Sequence, residues 1–470
     1  MRLGPISRFV SYACLAVGGA MIVPWVLAWS HAGESPAGYL LGIFISLSLG
    51  GLFLAVGLGY TRKPIVRSGM RELFLALLIF WGGIPFLAAI PFVIGGMPIH
   101  DGWFEAVSAL TTTGGWLSDP AAHATDHDMI YRASLQWLGG LVTLATAGAV
   151  FVRPEFTGVA PLVPPFSRGE SGSFIRAFDR AVWTFLPVYA CITAAGFLCF
   201  LFAEVPIVDA ATMAMSFLST GGFVPAAGGI LSYSPAAISI AMILMCFGAV
   251  NFIVISGLVL SRSSRMRSTQ DEETAAFIIL LPLMTLLYWL SAGAGDLDLL
   301  IPQFYNAVSI LSTNGQIIGE SPALLPVLVT AVIGGAAVST AGGVKLMRWL
   351  VTIRRTGQEL WKLTHPGGVL GKQPHVNELG IWIHALAFTM LLALIVLLTA
   401  FFGHPLETSA TAAVAVVANA GPLIDLAPQM TADYARFEAP LRGFLGLAMI
   451  AGRLELVVFM VMLSRRFWLG

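Results

Sequence analysis

Four short polar stretches, each closed by a glycine, recur inside a chain that is otherwise almost continuously apolar. They read Ser108-Ala-Leu-Thr-Thr-Thr-Gly114, Ser216-Phe-Leu-Ser-Thr-Gly-Gly222, Ser309-Ile-Leu-Ser-Thr-Asn-Gly315 and Ala415-Val-Val-Ala-Asn-Ala-Gly421. The closing glycines stand 108, 93 and 106 residues apart. Such a period describes one architectural unit used four times, and four such units in a membrane can surround one axis. Any single glycine among the 50 in the chain reads most simply as a helix-packing residue. The repeated offset from a Ser/Thr-rich start favours a ring of four ion-facing segments.

The chain has 470 residues, 57% hydrophobic and 11% charged, where a soluble domain carries about 25% charged residues. This is the composition of a polytopic membrane protein. Formal net charge is zero, so global charge implies no nucleic-acid partner. Cys14, Cys191, Cys199 and Cys246 lie in apolar runs, form no Cys-x-x-Cys pair and read as small buried hydrophobes. The N-terminal apolar run reaches about Trp29 and is followed at once by a second span. It reads as a retained transmembrane helix rather than a signal peptide.

Ten segments have the length to cross a bilayer: 9–29, 38–60, 72–95, 130–152, 182–203, 234–260, 274–294, 322–350, 380–402 and 437–463. Positive charge clusters before the first span and after the second, fourth, sixth, eighth and tenth, from Arg62, Lys63, Arg67 and Arg71 through to Arg465 and Arg466. The positive-inside rule makes these points, and both termini, cytoplasmic. The opposite loops are acidic, with Arg132, Arg436 and Arg442 as exceptions. Each repeat therefore starts and ends on the same side, so its glycine-ended segment enters from the outer face and returns. The repeats are parallel, unlike the inverted repeats of many secondary transporters.

The expected fold is all-α and polytopic: two N-terminal transmembrane helices, then four parallel helix–re-entrant pore loop–helix repeats around one central pore. The boundaries read 1–70 for the extension and 71–160, 175–262, 272–365 and 378–470 for the repeats.

Non-helical backbone survives at membrane depth only where protein buries it or water lines it. A segment that descends as a helix and returns extended frees carbonyls that can replace the hydration shell of a cation. Glycine suits it through its access to positive φ. Asp101 and Asp209, 13 residues before their glycines, suit an N-cap or first-turn position, and Pro302 holds the same offset in repeat three.

Three further sequences complete a pattern: Tyr131-Arg132-Ala-Ser-Leu-Gln136-Trp137-Leu-Gly139-Gly140, Gly334-Gly335-Ala-Ala-Val-Ser339-Thr340-Ala-Gly342-Gly343-Val-Lys345, and Gly452-Arg453-Leu454-Glu455 followed by Arg466-Phe467-Trp468. Together with the four glycine segments, they resemble the Trk/Ktr/HKT superfamily of potassium transporters on its bacterial TrkH/TrkG branch, over nearly the whole chain. The resemblance implies a potassium pore in the bacterial inner membrane, a homodimer and a gating cytosolic TrkA-type nucleotide-binding subunit. It implies potassium-binding filters at Thr112, Thr113 and Gly114, at Thr220, Gly221 and Gly222, at Thr313, Asn314 and Gly315, and at Asn419, Ala420 and Gly421. It implies an intramembrane gate with Gly334, Gly335, Ser339, Thr340, Gly342, Gly343 and Lys345, for which a merely kinked helix is the alternative. It implies that Arg453 faces the pore as an electrostatic barrier; a structural ion pair with Glu455 is the alternative. Potassium is cargo, and no cofactor or enzymatic activity is implied.

The sequence departs from the family pattern at Gln316, where an aromatic is more usual. Gly114 is present where sodium-selective plant members carry serine. A sodium-permeable or ion-coupled potassium symporter is the alternative within the superfamily. A membrane enzyme would need a motif that His123-Ala-Thr-Asp126-His127-Asp128 does not supply, since it is not His-Glu-x-x-His. A structural or receptor subunit is separated from a transporter by ion flux in liposomes. The basic segment Arg348–Lys372, with Trp349 and Trp361, can meet either the cytosolic ring or anionic membrane lipid.

Overall fold

The computed structural model describes residues 3–30, 36–59, 70–117, 125–150, 174–226, 228–259, 267–293, 296–365, 378–427 and 434–454, together with 456, 459, 460, 464 and 465. Every regular element among them is helical. The chain opens with α1 (Leu3–Ala20) and α2 (Ile22–Ser30), which form one long apolar span. It returns along α3 (Ala37–Gly59), where Ser11 Oγ donates to Gly50 O at 2.7 Å.

Four units of one plan follow. The first runs through α4 (Met70–Leu78), a π turn (Ile79–Gly83), α5 (Ile84–Ala88) and α6 (Ile90–Ile94), then α7 (Ile99–Leu110) and α8 (Asp126–Val150). The second holds α9 (Phe174–Phe202), α10 (Ile207–Leu218), α11 (Pro235–Ala249) and α12 (Phe252–Val259). The third holds α13 (Arg267–Gly293), α14 (Leu300–Leu311), α15 (Leu324–Ile333) and α16 (Leu346–Thr364). The fourth holds α17 (Glu378–Phe401), α18 (Leu406–Val417) and α19 (Ala439–Arg453).

The short helix that follows the first span of every unit, α7, α10, α14 and α18, has 12 residues. At 1.5 Å per residue that is about 18 Å, too short for a hydrocarbon core of about 30 Å. These helices enter and stop. Pro98, Pro206 and Pro405 stand at three of the four N-caps. Asp101, Asp209 and Glu407 fall in the first turn, where a negative charge offsets the helix dipole. In the third unit α14 continues a 3₁₀ turn, Leu297–Leu299, whose N-cap Asp296 accepts from Asp298 N, so Pro302 is its third residue.

The first spans of the four repeats differ in exposure. Within the most apolar windows of α9, α13 and α17, only 28%, 22% and 28% is buried. The first span of repeat one is 61% buried, because α1 and α3 pack over it. The two N-terminal helices thus shield one side of the fourfold core.

Of the ten segments expected to cross, the eighth was expected to be interrupted at its paired glycines, and the other second spans depart from plain crossings. Six helices meet both length and apolarity for a crossing, and the bent α11–α12 pair makes a seventh among the described residues. Segment 130–152 is α8, long enough at 25 residues but carrying Asp126, Asp128 and Arg132. Segment 234–260 is broken by a 102° bend between Ala249 and Phe252. Segment 322–350, expected to be interrupted between its glycine pairs, is helical over Leu324–Ile333 and again from Leu346, and α16 continues to Thr364. In segment 437–463 the described residues give a helix, Ala439–Arg453, whose C-cap Leu454 has an extended backbone, and residues 455, 457, 458 and 461–463 lie outside the described set. These helices line the interior, where neighbouring protein rather than lipid meets their polar groups.

Candidate functional site

The four short helices end alike. Thr112, Thr220, Thr313 and Asn419 lie two residues before their closing glycines and have φ of 53°, 57°, 59° and 53°. The next amide folds back onto the carbonyl five residues earlier: Thr113 N to Ser108 O at 2.9 Å, Gly221 N to Ser216 O at 2.9 Å, Asn314 N to Ser309 O at 2.8 Å and Ala420 N to Ala415 O at 2.8 Å. This is a Schellman cap with a side-chain-bearing residue where glycine is usual. A β-branched residue there costs roughly 1–2 kcal/mol. Strain repeated at three threonines, with an asparagine at the same positive φ in the fourth, marks a site whose backbone direction matters.

The closing glycines form a cycle. A methyl group on Gly114 would lie 1.8 Å from Gly221 O, one on Gly222 2.2 Å from Asn314 O, one on Gly315 3.0 Å from Ala420 O and one on Gly421 2.6 Å from Thr113 O. Each glycine is pressed against the penultimate carbonyl of the next repeat, and the fourth against the first. The predicted filter residues of all four repeats therefore come together. The fourth corner departs from the expected extended return. Gly114, Gly222 and Gly315 have φ of 74°, 71° and 85°, whereas Gly421 opens a 3₁₀ turn, Gly421–Leu426, with Pro422 in its first positions. Its amide closes the cycle by donating to Thr113 O at 2.6 Å.

Side chains hold the returning strands. Glu105 Oε1 accepts from Leu117 N at 2.8 Å, and Asn306 Oδ1 accepts from Ile318 N at 2.8 Å, in corresponding places of repeats one and three. Ser108 Oγ donates to Gly115 O at 2.5 Å, Ser216 Oγ accepts from Phe223 N at 2.7 Å, and Tyr434 OH donates to Gly421 O at 3.0 Å. The other oxygen of Glu105 meets Arg132 Nε at 2.9 Å, both residues being buried. Arg442 pairs with Asp101 at 2.8 Å. Two of the three exceptions to the charge rule are thus neutralised by acids on α7, Asp101 in its first turn and Glu105 one turn further on. Replacing Glu105 by leucine strands the Arg132 guanidinium and should cost about 3–5 kcal/mol. A thermal midpoint in detergent equal to that of the parent protein would refute this.

Below the ring, two broken helices complete one another. Segment 334–345 crosses as an irregular loop against the bend in repeat two. Ala336 N donates to Ala249 O at 2.8 Å, Thr340 N to Gly248 O at 3.0 Å, and Phe252 N to Val338 O at 2.7 Å. Thr340 Oγ1 bonds Leu218 O at 3.0 Å and Gly248 O at 2.9 Å, and Gly342 N donates to Thr313 Oγ1 at 2.7 Å. Glu273, fully buried, accepts from Ala337 N at 2.5 Å and from Asn251 Nδ2 at 3.0 Å. The orphan groups of one break are the partners of the other. Lys345 Nζ bonds Ala341 O and lies 3.4 Å from Ser339 Oγ. Gly334, Gly335, Gly342 and Gly343 all pack against backbone too closely for a side chain.

Arg453 Nε donates to Thr143 Oγ1 at 2.8 Å, while its Nη2 has no hydrogen-bond partner among the described residues. Arg453, Lys345 and Arg348 line one cavity of about 40 Å³ with Thr143, Gly342 and Gly343. Glu455, Arg466, Phe467 and Trp468 lie outside the described residues, as does His123. His127 bonds Thr125 Oγ1 at 3.0 Å. No group of three or more His, Cys, Asp or Glu suited to a metal occurs among the described residues.

Gly248, Asn251 and Glu273 of this centre lie outside the motifs that mark the rest. A second tier of glycines supports the ring: a methyl on Gly139, Gly248, Gly342 or Gly452 would lie 1.7, 2.6, 1.8 or 2.2 Å from a carbonyl at the end of a short helix. Gly248 was available as a glycine 26 residues beyond Gly222, matching Gly139 25 residues beyond Gly114. Asn251, alone in an apolar run, and Glu273, at the edge of another, were the signals for the repeat-two break.

The model of the TrkH family, described as cation transport protein, matches residues 61–294. The Trk system potassium uptake protein TrkH of Escherichia coli K12 is 27% identical over 496 residues, covering 100% of both chains. The Trk system potassium uptake protein TrkG of the same strain is 24% identical, covering 96% of this chain and 95% of its own. Among solved structures, the potassium transporter TrkH from Vibrio parahaemolyticus matches with a TM-score of 0.84 at 22% identity, covering 100% of both chains. That likeness establishes the all-helical fold.

Proposed function

Since the chain belongs to the TrkH family of cation transport proteins, we propose that it takes up potassium through the ring of glycine-ended segments. The observation that carries the reading is the cycle of Gly114, Gly222, Gly315 and Gly421, each against the next repeat's carbonyl. Four helix C-termini converge on this ring, and their partial negative charge favours a cation. Backbone oxygens of Thr112, Thr113 and Gly114, and their equivalents in the other repeats, replace the hydration shell of the ion. The names of the relatives as potassium uptake proteins support potassium as cargo.

In this reading the 334–345 loop is the gate, with Gly334, Gly335, Ser339, Thr340, Gly342, Gly343 and Lys345 as its parts. Arg453 places a positive charge on the path below the ring. The cavity between them has space for a few waters at about 10–15 Å³ each, which is consistent with a closed passage. Residues 1–70 form the extension, and 71–160, 175–262, 272–365 and 378–470 form the four pore repeats. The protein works as a homodimer in the bacterial inner membrane, termini in the cytoplasm, with a TrkA-type nucleotide-binding subunit beneath it.

Expression in a cell lacking potassium uptake tests cargo and partner together. Growth at limiting potassium should be restored when a TrkA-type subunit is co-expressed, and weakly or not at all without it. Failure of rescue with both proteins present in the membrane would overturn the proposal.

A further inference from the structure

The four corners of the ring are not alike. Just before the closing glycine, repeats one, three and four carry Thr113, Asn314 and Ala420, while repeat two carries Gly221. A methyl group on Gly221 would lie 2.3 Å from both Cδ and Oε1 of Gln136. The Gln136 amide, 1% exposed, thus fills the volume a side chain takes elsewhere. Its Nε2 donates to Gly221 O at 2.9 Å.

From the other flank Gln316 reaches the next carbonyl. Its Nε2 donates to Gly222 O at 3.2 Å, and its Oε1 accepts from the buried Tyr305 hydroxyl at 2.8 Å. Gly222 O can only accept, so the amide must present its nitrogen there and its oxygen to Tyr305. Two successive carbonyls of one corner are each tied to an amide from a different neighbouring repeat.

We propose that Gln136 and Gln316 are positioning residues that set the carbonyl geometry of the repeat-two corner and hence ion discrimination, with Tyr305 anchoring the Gln316 amide. The inference rests on reading the ring as a potassium filter. A carbonyl that faces the ion with one lone pair and is held by an amide on the other resists swinging inward around a smaller ion. Releasing it lets the corner contract onto sodium. Gln316, where the family more often has an aromatic, is then a second route to a rigid corner rather than a loss of one.

The test is reversal potential under opposed potassium and sodium gradients, with the full-length protein in liposomes. Gln316→Leu should lower the potassium-to-sodium permeability ratio roughly three- to tenfold, the equivalent of one intramolecular hydrogen bond. Gln316→Glu, which loses the donor and keeps the acceptor, should behave the same way. Tyr305→Phe should give a smaller fall, and no further fall in the Gln316→Leu background. Tyr305→Phe removes a single oxygen, so it carries the test if the leucine variant does not fold. Parental ratios in Gln316→Leu and Tyr305→Phe overturn the proposal while leaving a selective wild type intact. A wild type with no preference for potassium overturns the filter reading, and the clamp with it.

Discussion

Gly114→Ser is expected to lower the discrimination of potassium over sodium by about tenfold, read as reversal potential in liposomes. The new Cβ would sit 1.8 Å from Gly221 O and 2.9 Å from Gly221 C. Those atoms are backbone, so no rotamer change relieves the overlap. The residue also has φ of 74°, which adds roughly 1–2 kcal/mol for any L side chain, and 1.4 kcal/mol is tenfold. Repeat one or repeat two must move, and both carry filter carbonyls. Gly315→Ser should act more weakly, because its nearest neighbour is 3.0 Å away. Gly257→Ser, with nothing within 4 Å, is the control. Unchanged reversal potentials in Gly114→Ser would remove the first corner from the filter.

Loosening the 334–345 loop should raise basal flux in liposomes without any cytosolic subunit. The loop is held by backbone bonds to Gly248 and Ala249, by Glu273 and by Thr340. Each net bond contributes about 0.5–1.5 kcal/mol. Thr340→Val keeps the shape and removes the single hydroxyl proton that Leu218 O and Gly248 O share, shifting the balance by roughly 0.5–1.5 kcal/mol. Flux should rise several-fold, and further when the span from Gly334 to Gly343 is shortened. Folded Thr340→Val protein with flux at or below the parent would sink the gate assignment.

The fourfold plan was legible because polar, glycine-ended segments stand out against apolar sequence. Their first-turn acids and prolines also signal helix starts. The closure of the ring was not legible, since it depends on which repeat each glycine touches. The 3₁₀ turn at Gly421 follows from Pro422 together with Thr113 O as a partner 308 residues away in sequence. The bend at Asn251 was hidden for a similar reason. An apolar run of span length reads as one helix until Glu273 and the 336–340 backbone are seen to receive its broken ends. Gln316 looked like a weakness from its side-chain type alone. Its two hydrogen bonds are tertiary.

The mutual completion of the two breaks also imposes an order on biogenesis. The carbonyls of Gly248 and Ala249 enter the membrane before their partners at Ala336 and Thr340 exist. At 5–20 residues per second the delay is on the order of 5–20 s. Over that interval the first half of the protein carries unmet backbone groups that no lipid can satisfy. The nascent chain must keep them wet, or shelter them within the insertion machinery, until repeat three arrives. A messenger truncated after repeat two therefore encodes an unfinished product that quality control can recognise by chemistry alone.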